Sequence, residues 1–387
     1  MTAPSTSSAA FDPGTGHPAG GTSLAWRQIE LAVALADLCP APPRWHGRLD
    51  DQHATCAFFL ISAASVGWVE AAAANPRVRE VDVSIEAMAG FAAIEASLAT
   101  GRVQVVICGA GPGTVGVLWA IPGARSQGAK VLVLVPRTPS SLVGATDIQE
   151  SSYREPLHLA GRSLYDEVIP MESLAEMPRI ALRLRHLFAR AQGAVVALSV
   201  PTDLLGQPAP GLPDLSLVES ALPGPSVAAM ERVAGLLTGP GGPPAFLLGS
   251  GAIAHRERLS RLIARWGAVH FATPAAAGIV PGSLGVIGNA AKGDIPQRLR
   301  EAEVRCVVIL GSRLGTASGG GAELLPPACP VVHVEVDPDI TAGNALTTLG
   351  HRVLMVASGI GEFIDALEPF VPDSQADAKC RVMRGEQ

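Results

Sequence analysis

One carboxylate stands apart in this chain. Glu86 follows a short β-rich run at residues 81–84 and opens a helix of small residues, in which Met88, Phe91, Ala92 and Leu98 recur near helical spacing. A lone carboxyl at a strand end can do acid–base work on a ligand. Its plain alternative is an acidic residue at a helix N-terminus, favoured there by the macrodipole. The second feature is a glycine turn, Gly109-Ala110-Gly111-Pro112-Gly113, directly after an apolar run at 103–108. Glycines let a backbone come close to a ligand. The spacing also suits a dinucleotide fingerprint. However, the next strand ends Val135-Pro136-Arg137, with no acidic residue to hold a ribose, and the turn lies deep in its domain. A turn facing another ligand and a tight turn with none are the readings left.

These residues need a scaffold that brings strand ends together. Residues 81–136 read as β-α-β-α-β, the pattern of a parallel sheet. Such sheets bind ligands beyond the carboxyl ends of their strands. The rest of the chain repeats the alternation, so the expected fold class is α/β, with two doubly wound parallel-sheet domains in tandem. Residues 1–22 are rich in Ser, Thr, Gly, Pro and Ala and read as a disordered tail without the basic start or apolar run of a signal peptide. The first domain is placed at 23–206, a Pro/Leu/Ser-rich linker at 207–224, the second domain at 225–372 and a tail at 373–387. Within the first domain the pattern predicts a strand at 56–62, one helix over 113–127, a long polar loop at 140–162, and a helix over 171–192.

Composition excludes several classes. The 387 residues carry a net charge of −6, which gives no basic footprint for nucleic acid. The six cysteines form no C-x-x-C pair and read as reduced thiols of a cytoplasmic protein. The nine histidines form no zinc pattern. The uncharged stretch 103–124 is long enough to suggest a membrane span, but five glycines and two prolines interrupt it, so a strand, turn and helix in a soluble core is expected.

The ordered set of motifs resembles thiamine-diphosphate enzymes of the acetolactate synthase type. Glu86 stands where that family has a strand-end glutamate, and Gly111-Pro112-Gly113 where it has Ser-Gly-Pro-Gly. Val143 to Glu150 looks like the family's G-T-D-A-F-Q-E, and Pro201-Thr202-Asp203 like its P-x-D. Further on, Gly249-Ser250-Gly251, Gly278-Ile279-Val280-Pro281, Gly311-Ser312-Arg313 and His333 to Pro338 resemble the family's central domain. Where the family usually has G-x-P-G after its first strand, this chain has Ser62-Ala63-Ala64-Ser65.

The resemblance implies a pyrimidine-binding first domain. There, Glu86 would share a proton with N1′ of the cofactor's aminopyrimidine, favouring the imino tautomer that deprotonates the thiazolium C2. Gly109, Gly111, Pro112 and Gly113 would back the ring. Gln149 matches a substrate-facing glutamine, and Arg162 stands near the family's loop lysine. In the central domain Gly249, Gly251, Arg313, Glu335 and Asp337 match places where several relatives bind FAD, while other relatives keep this domain empty.

The family's diphosphate domain carries G-D-G, which helps hold Mg²⁺ against the cofactor's charge. This sequence has no G-D-G; its one Gly-Asp pair, Gly293-Asp294, is followed by Ile295. The expectation is therefore a split enzyme, with a separate chain carrying the diphosphate-binding domain and the metal, and none of the metal ligands in this chain. The implied assembly is a hetero-oligomer with two copies of each chain. It would be cytoplasmic, with no nucleic acid or membrane as partner. It would decarboxylate a 2-oxo acid, with pyruvate the first candidate, and transfer the acyl unit to an acceptor carbonyl. The alternatives are a 2-oxo acid decarboxylase without acyl transfer, a non-catalytic regulatory or scaffold subunit, and a nucleotide-binding protein using only its central domain.

Overall fold

A computed structural model describes residues 21–39, 53–143, 164–190, 192–218, 222–287, 294–314, 325–326, 328–337 and 353–370. The chain divides into two compact units, Met1–Ser220 and Ala221–Gln387. Each is built on a parallel sheet with helices on both faces, as the alternating pattern predicts.

In the first unit six strands run in the order β2-β1-β3-β4-β6-β5. They are β1 (Thr55–Phe59), β2 (Val78–Asp82), β3 (Gln104–Ile107), β4 (Lys130–Arg137), β5 (Glu167–Pro170) and β6 (Ala194–Pro201). The central strands are apolar along their whole length because both faces are covered. Val105 and Ile107 pack with helices α1 (Leu24–Asp37) and α2 (Val66–Ala74). Val106 and Cys108 pack on the other face with α3 (Glu86–Thr100). The chain runs from β1 to β2 on one side, then crosses back to β3 on the other. The order therefore reverses between β1 and β3, the place where such sheets leave a crevice.

The helix expected over 113–127 is two helices, α4 (Pro112–Val117) and α5 (Ile121–Gln127). Pro122 accounts for the break. It has no N–H to donate, and its ring clashes with the carbonyl four residues back. Proline suits the first turn of a new helix, and it stands there in α5. The helix expected over 171–192 is shorter, α6 (Met177–Phe188), and follows a 3₁₀ turn at Leu174–Glu176 that carries a capping box between Ser173 and Glu176. The strand expected at 56–62 ends at Phe59, and residues beyond it turn through Ser62–Ser65 instead. The stretch read as a linker begins on the first unit. Leu24 N donates to Gln207 O (2.8 Å), and Leu215 is buried in the first core.

The second unit carries β7 (Ala245–Leu248), β8 (Val269–Ala272), β9 (Val307–Leu310), β10 (Val331–Glu335) and β11 (Val353–Ala357), in the order β11-β10-β9-β7-β8. Here the order reverses between β7 and β9. At that point the turns after these two strands press directly on each other. A Cβ on Gly249 would overlap Gly311 O and lie 2.6 Å from Ser312 Cβ. A Gly249→Ala substitution should therefore destabilise this unit by about 2 kcal/mol, since the obstacle is backbone that cannot swing aside. Denaturant unfolding measures it.

Ser312 leads to the buried His333 on β10. His333 Nε2 lies 2.7 Å from Ser312 O, so this nitrogen carries the proton and donates, and Nδ1 is buried without a partner. Burial pushes the ring below its ordinary value of 6.5, against the pull of the Ser312 bond. The unfolded chain takes up a proton near pH 6.5, the folded unit only at lower pH. Stability is therefore lost as the pH falls below about 6.5, with a limiting slope of about 1.4 kcal/mol per pH unit. Melting curves should drop on acidification, and the drop should shrink in a His333→Gln variant.

Candidate active site

Glu86 is the first residue of α3. The preceding Ile85 is extended (φ −151°, ψ 150°), so the chain leaves β2 and turns sharply into the helix at this carboxylate. The carboxylate is half-buried, and among the described residues it makes no hydrogen bond or ion pair. What lies against it is glycine. A Cβ on Gly113 would sit 2.7 Å from Glu86 Oε1 and 3.4 Å from Cδ. One on Gly109 would sit 3.5 Å from Oε1, and one on Gly116 would sit 3.4 Å from Oε2. Three glycines thus form a floor under one carboxyl, at the carboxyl ends of β1, β2 and β3.

Local sequence builds this floor. Gly111 takes φ +58°, a left-handed conformation that side chains disfavour, and so reverses the chain after β3. Pro112 then starts α4, where its fixed φ suits a first helical turn. Thr114 ties the turn down by donating from Oγ1 to Gly109 O (3.2 Å). Of the residues the motif singles out, Gly109 and Gly113 lie against Glu86, with Gly111 and Pro112 in the turn between them. It does not reach Gly116, although Gly113 and Gly116 share a helix face at i, i+3. Nor does it give a role to Ser62, whose Oγ lies 3.6 Å from the place of a Gly109 Cβ.

Several large apolar side chains on the segments that carry the site are exposed. Trp119 is 79% exposed, Ile61 59%, Ile85 52%, Phe91 51% and Met88 50%. Exposed large apolar side chains of this kind are the sort that a binding partner covers. Gln149 and Arg162 lie outside the described residues.

The central-unit set behaves differently. Gly249 N donates to Leu310 O (2.8 Å), Gly251 N to Gly311 O (3.1 Å) and Ala252 N to Gly249 O (3.0 Å). A dinucleotide pyrophosphate would need free amides at such a turn. Glu335, at the end of β10, accepts from Val336 N (2.9 Å), and burial pushes its carboxyl above the usual range. Arg313 and Asp337 sit at the ends of β9 and β10, outside the turn itself. The Gly249–Ala252 turn does not fit an FAD pyrophosphate. The purified protein should show no flavin absorption band, and added FAD should leave its melting temperature unchanged.

Among the described residues no helix is long and apolar enough to cross a membrane, and no three His, Cys, Asp or Glu side chains come together as metal ligands.

A carboxylate over a glycine floor at a sheet's switch point, followed along the chain by a second parallel-sheet unit, is the arrangement expected of thiamine-diphosphate enzymes, and the comparisons bear the resemblance out. Residues 46–157, which contain Glu86 and the glycine turn, match the family model described as thiamine pyrophosphate enzyme, N-terminal TPP binding domain. The chain is similar to sulfoacetaldehyde acetyltransferase of Rhodobacter capsulatus, 28% identical over 291 residues, covering 70% of this chain and 46% of that protein. It is also similar to chloroplastic acetolactate synthase 1 of Zea mays, 24% identical over 260 residues, covering 64% of this chain and 39% of that protein. The chain thus spans about half the length, or less, of these curated relatives. Among solved structures, the thiamine diphosphate-dependent 4-hydroxybenzoylformate decarboxylase of Rhodococcus jostii RHA1 matches with a TM-score of 0.69 at 16% identity, covering 90% of this chain and 63% of that one. That likeness carries the fold.

Proposed function

We propose that this chain supplies the pyrimidine-side carboxylate of a thiamine-diphosphate enzyme assembled from two kinds of chain. The observation that carries the reading is Glu86: a half-buried carboxyl with no partner of its own among the described residues, over glycines that keep the space beside it open. Bound thiamine diphosphate supplies the carbon nucleophile; the protein's part is to bind, orient and tune. Glu86 would hold or share the proton at the pyrimidine ring nitrogen. Gly109, Gly113 and Gly116 let a flat ring lie close to the backbone. Thr114 fixes the turn beneath.

The diphosphate and Mg²⁺ need ligands that these 387 residues do not offer as a G-D-G motif. A separate chain carrying the diphosphate-binding domain is the proposed source. The exposed apolar side chains Ile61, Ile85, Met88, Phe91 and Trp119 support such a partner, which would also exclude water from Glu86. Two copies of each chain is the proposed assembly.

The proposed reaction is decarboxylation of a 2-oxo acid, pyruvate first, with transfer of the acyl unit to an acceptor carbonyl. The Rhodobacter relative is by name an acetyltransferase, which favours transfer over decarboxylation alone. Product analysis tests this on the complex supplied with pyruvate, Mg²⁺ and thiamine diphosphate, with and without an acceptor aldehyde. A new carbon–carbon bonded product is expected. Carbon dioxide and free aldehyde alone would instead identify a simple decarboxylase, and no turnover at all would identify a non-catalytic subunit.

A further inference from the structure

The second unit holds a cavity that the proposed function leaves unused. It measures about 170 Å³ and lies between β8 and the helix Arg256–Arg265. Ile263 and Ala264 form its helix side, Ala268 and His270 its sheet side, and Val280 and Pro281 its outer wall. The strand holds that wall in place. Leu284 N donates to His270 O (2.8 Å), so the chain after the wall runs along β8. His270 is buried, and its Nε2 lies 3.2 Å from Val280 O; a carbonyl only accepts, so this nitrogen donates. The cavity stands at the start of β8, whereas Gly249 and Gly251 follow the end of the parallel β7.

Ser260 lines the cavity from the middle of the helix and is half-buried. A serine or threonine in such a place often donates to the carbonyl four residues back. Thr100 does so to Ala96 O (2.7 Å) and Thr238 to Ala234 O (2.8 Å). Among the described residues Ser260 Oγ makes no hydrogen bond, so its hydroxyl keeps its donor and its acceptor capacity for a guest. Apart from Ser260 and His270 the lining is apolar, and among the described residues no Asp, Glu, Lys or Arg lines it. A volume of about 150 Å³ between apolar side chains is enough to take benzene. We propose that this cavity binds a small uncharged aromatic alcohol, one ring bearing one hydroxyl, with Ser260 hydrogen-bonded to the hydroxyl and Ile263, Ala264 and Val280 against the ring. A carboxylate or phosphate would enter with no cation to meet it, at a large desolvation cost. The site goes beyond the thiamine-diphosphate reading and does not depend on it.

The test titrates the full chain by calorimetry with three probes, phenol, benzene and benzoate. Wild type should bind phenol saturably, with Kd on the order of 1 mM or below for so small a ligand. Benzoate should bind at least about tenfold more weakly, because its charge finds no partner in the lining. Ser260→Ala should raise the phenol Kd about fivefold, the loss of one neutral hydrogen bond, and leave benzene unchanged. Alanine favours a helix, so this variant keeps the fold. Ala264→Leu fills the cavity and should abolish binding of both phenol and benzene; its melting temperature checks the fold, and if it melts far below wild type, Ser260→Ala decides alone. No saturable phenol binding to wild type overturns the proposal. So does benzoate binding as tight as phenol, or phenol binding unchanged in Ser260→Ala and in Ala264→Leu, which would put the phenol elsewhere. An equal loss of phenol and benzene in Ser260→Ala would mark a changed cavity instead of a lost hydrogen bond, and overturns the role given to Ser260.

Discussion

A Glu86→Gln variant of the assembled enzyme should lose between about 10²- and 10⁴-fold in turnover, the range of a positioned acid–base group. Gln keeps the shape and length of the side chain but cannot take or share the proton. The loss should not come from misfolding. Among the described residues the carboxylate has no hydrogen bond or ion pair to lose. Its only other contribution is the favourable charge at the start of α3, worth about 0.3–1 kcal/mol. Exchange of the cofactor's C2 proton, followed by NMR after acid quench, isolates the step: it should slow with turnover, while the melting temperature and recovery of the complex stay close to wild type. Normal exchange in Glu86→Gln would leave the carboxylate as an ordinary helix-start residue, the plain alternative that the sequence offers.

Gly113→Ala should lower kcat by about 10²-fold, the cost of a reacting group displaced by roughly an ångström. Its new Cβ would stand 2.7 Å from Glu86 Oε1 and 3.4 Å from Cδ. What it meets is the far end of a flexible side chain, so the carboxyl swings away and the fold survives. Gly113 lies within α4 and does not have a positive φ, so alanine fits its backbone. Replacing a helical glycine by alanine favours the helix by about 0.5–1 kcal/mol. The expected signature is thus a variant that is inactive yet as stable as wild type, or slightly more so. Steady-state kinetics beside thermal melting reads both at once. A variant that keeps full activity would show that the ligand does not need the carboxyl where it stands.

Much of this site is legible in the amino-acid sequence, and the reason is physical. Strands buried on both faces must be apolar throughout, so residues 103–108 and 130–135 announce themselves. A single carboxylate near them, and a turn that favours glycine at Gly111, stand out against that background. The edges are harder. β5 (Glu167–Pro170) borders its sheet, is only partly covered and offers just Val168 and Ile169 between a charge and a proline, so its sequence lacks the continuous apolar run that marks a strand. β2 begins at Val78, three residues before the expected run, because Arg79 and Glu80 on an exposed edge look like loop. Pro122 breaks the helix after the glycine turn, and the apolar residues around it conceal the break. Ser62 is hidden for a different reason. Its significance lies in distance to Gly109, which follows another strand, and no local pattern encodes that.

In the proposed enzyme Glu86 serves thiamine diphosphate held jointly with another chain. Native mass spectrometry of the protein purified from its own host, with Mg²⁺ and thiamine diphosphate present, tests it most directly. A second chain bearing a domain of roughly 100–200 residues is expected, with cofactor retained only in the joint complex. A homo-oligomer without a second chain and without cofactor would contradict it, and would leave Glu86 a carboxylate over an empty glycine floor.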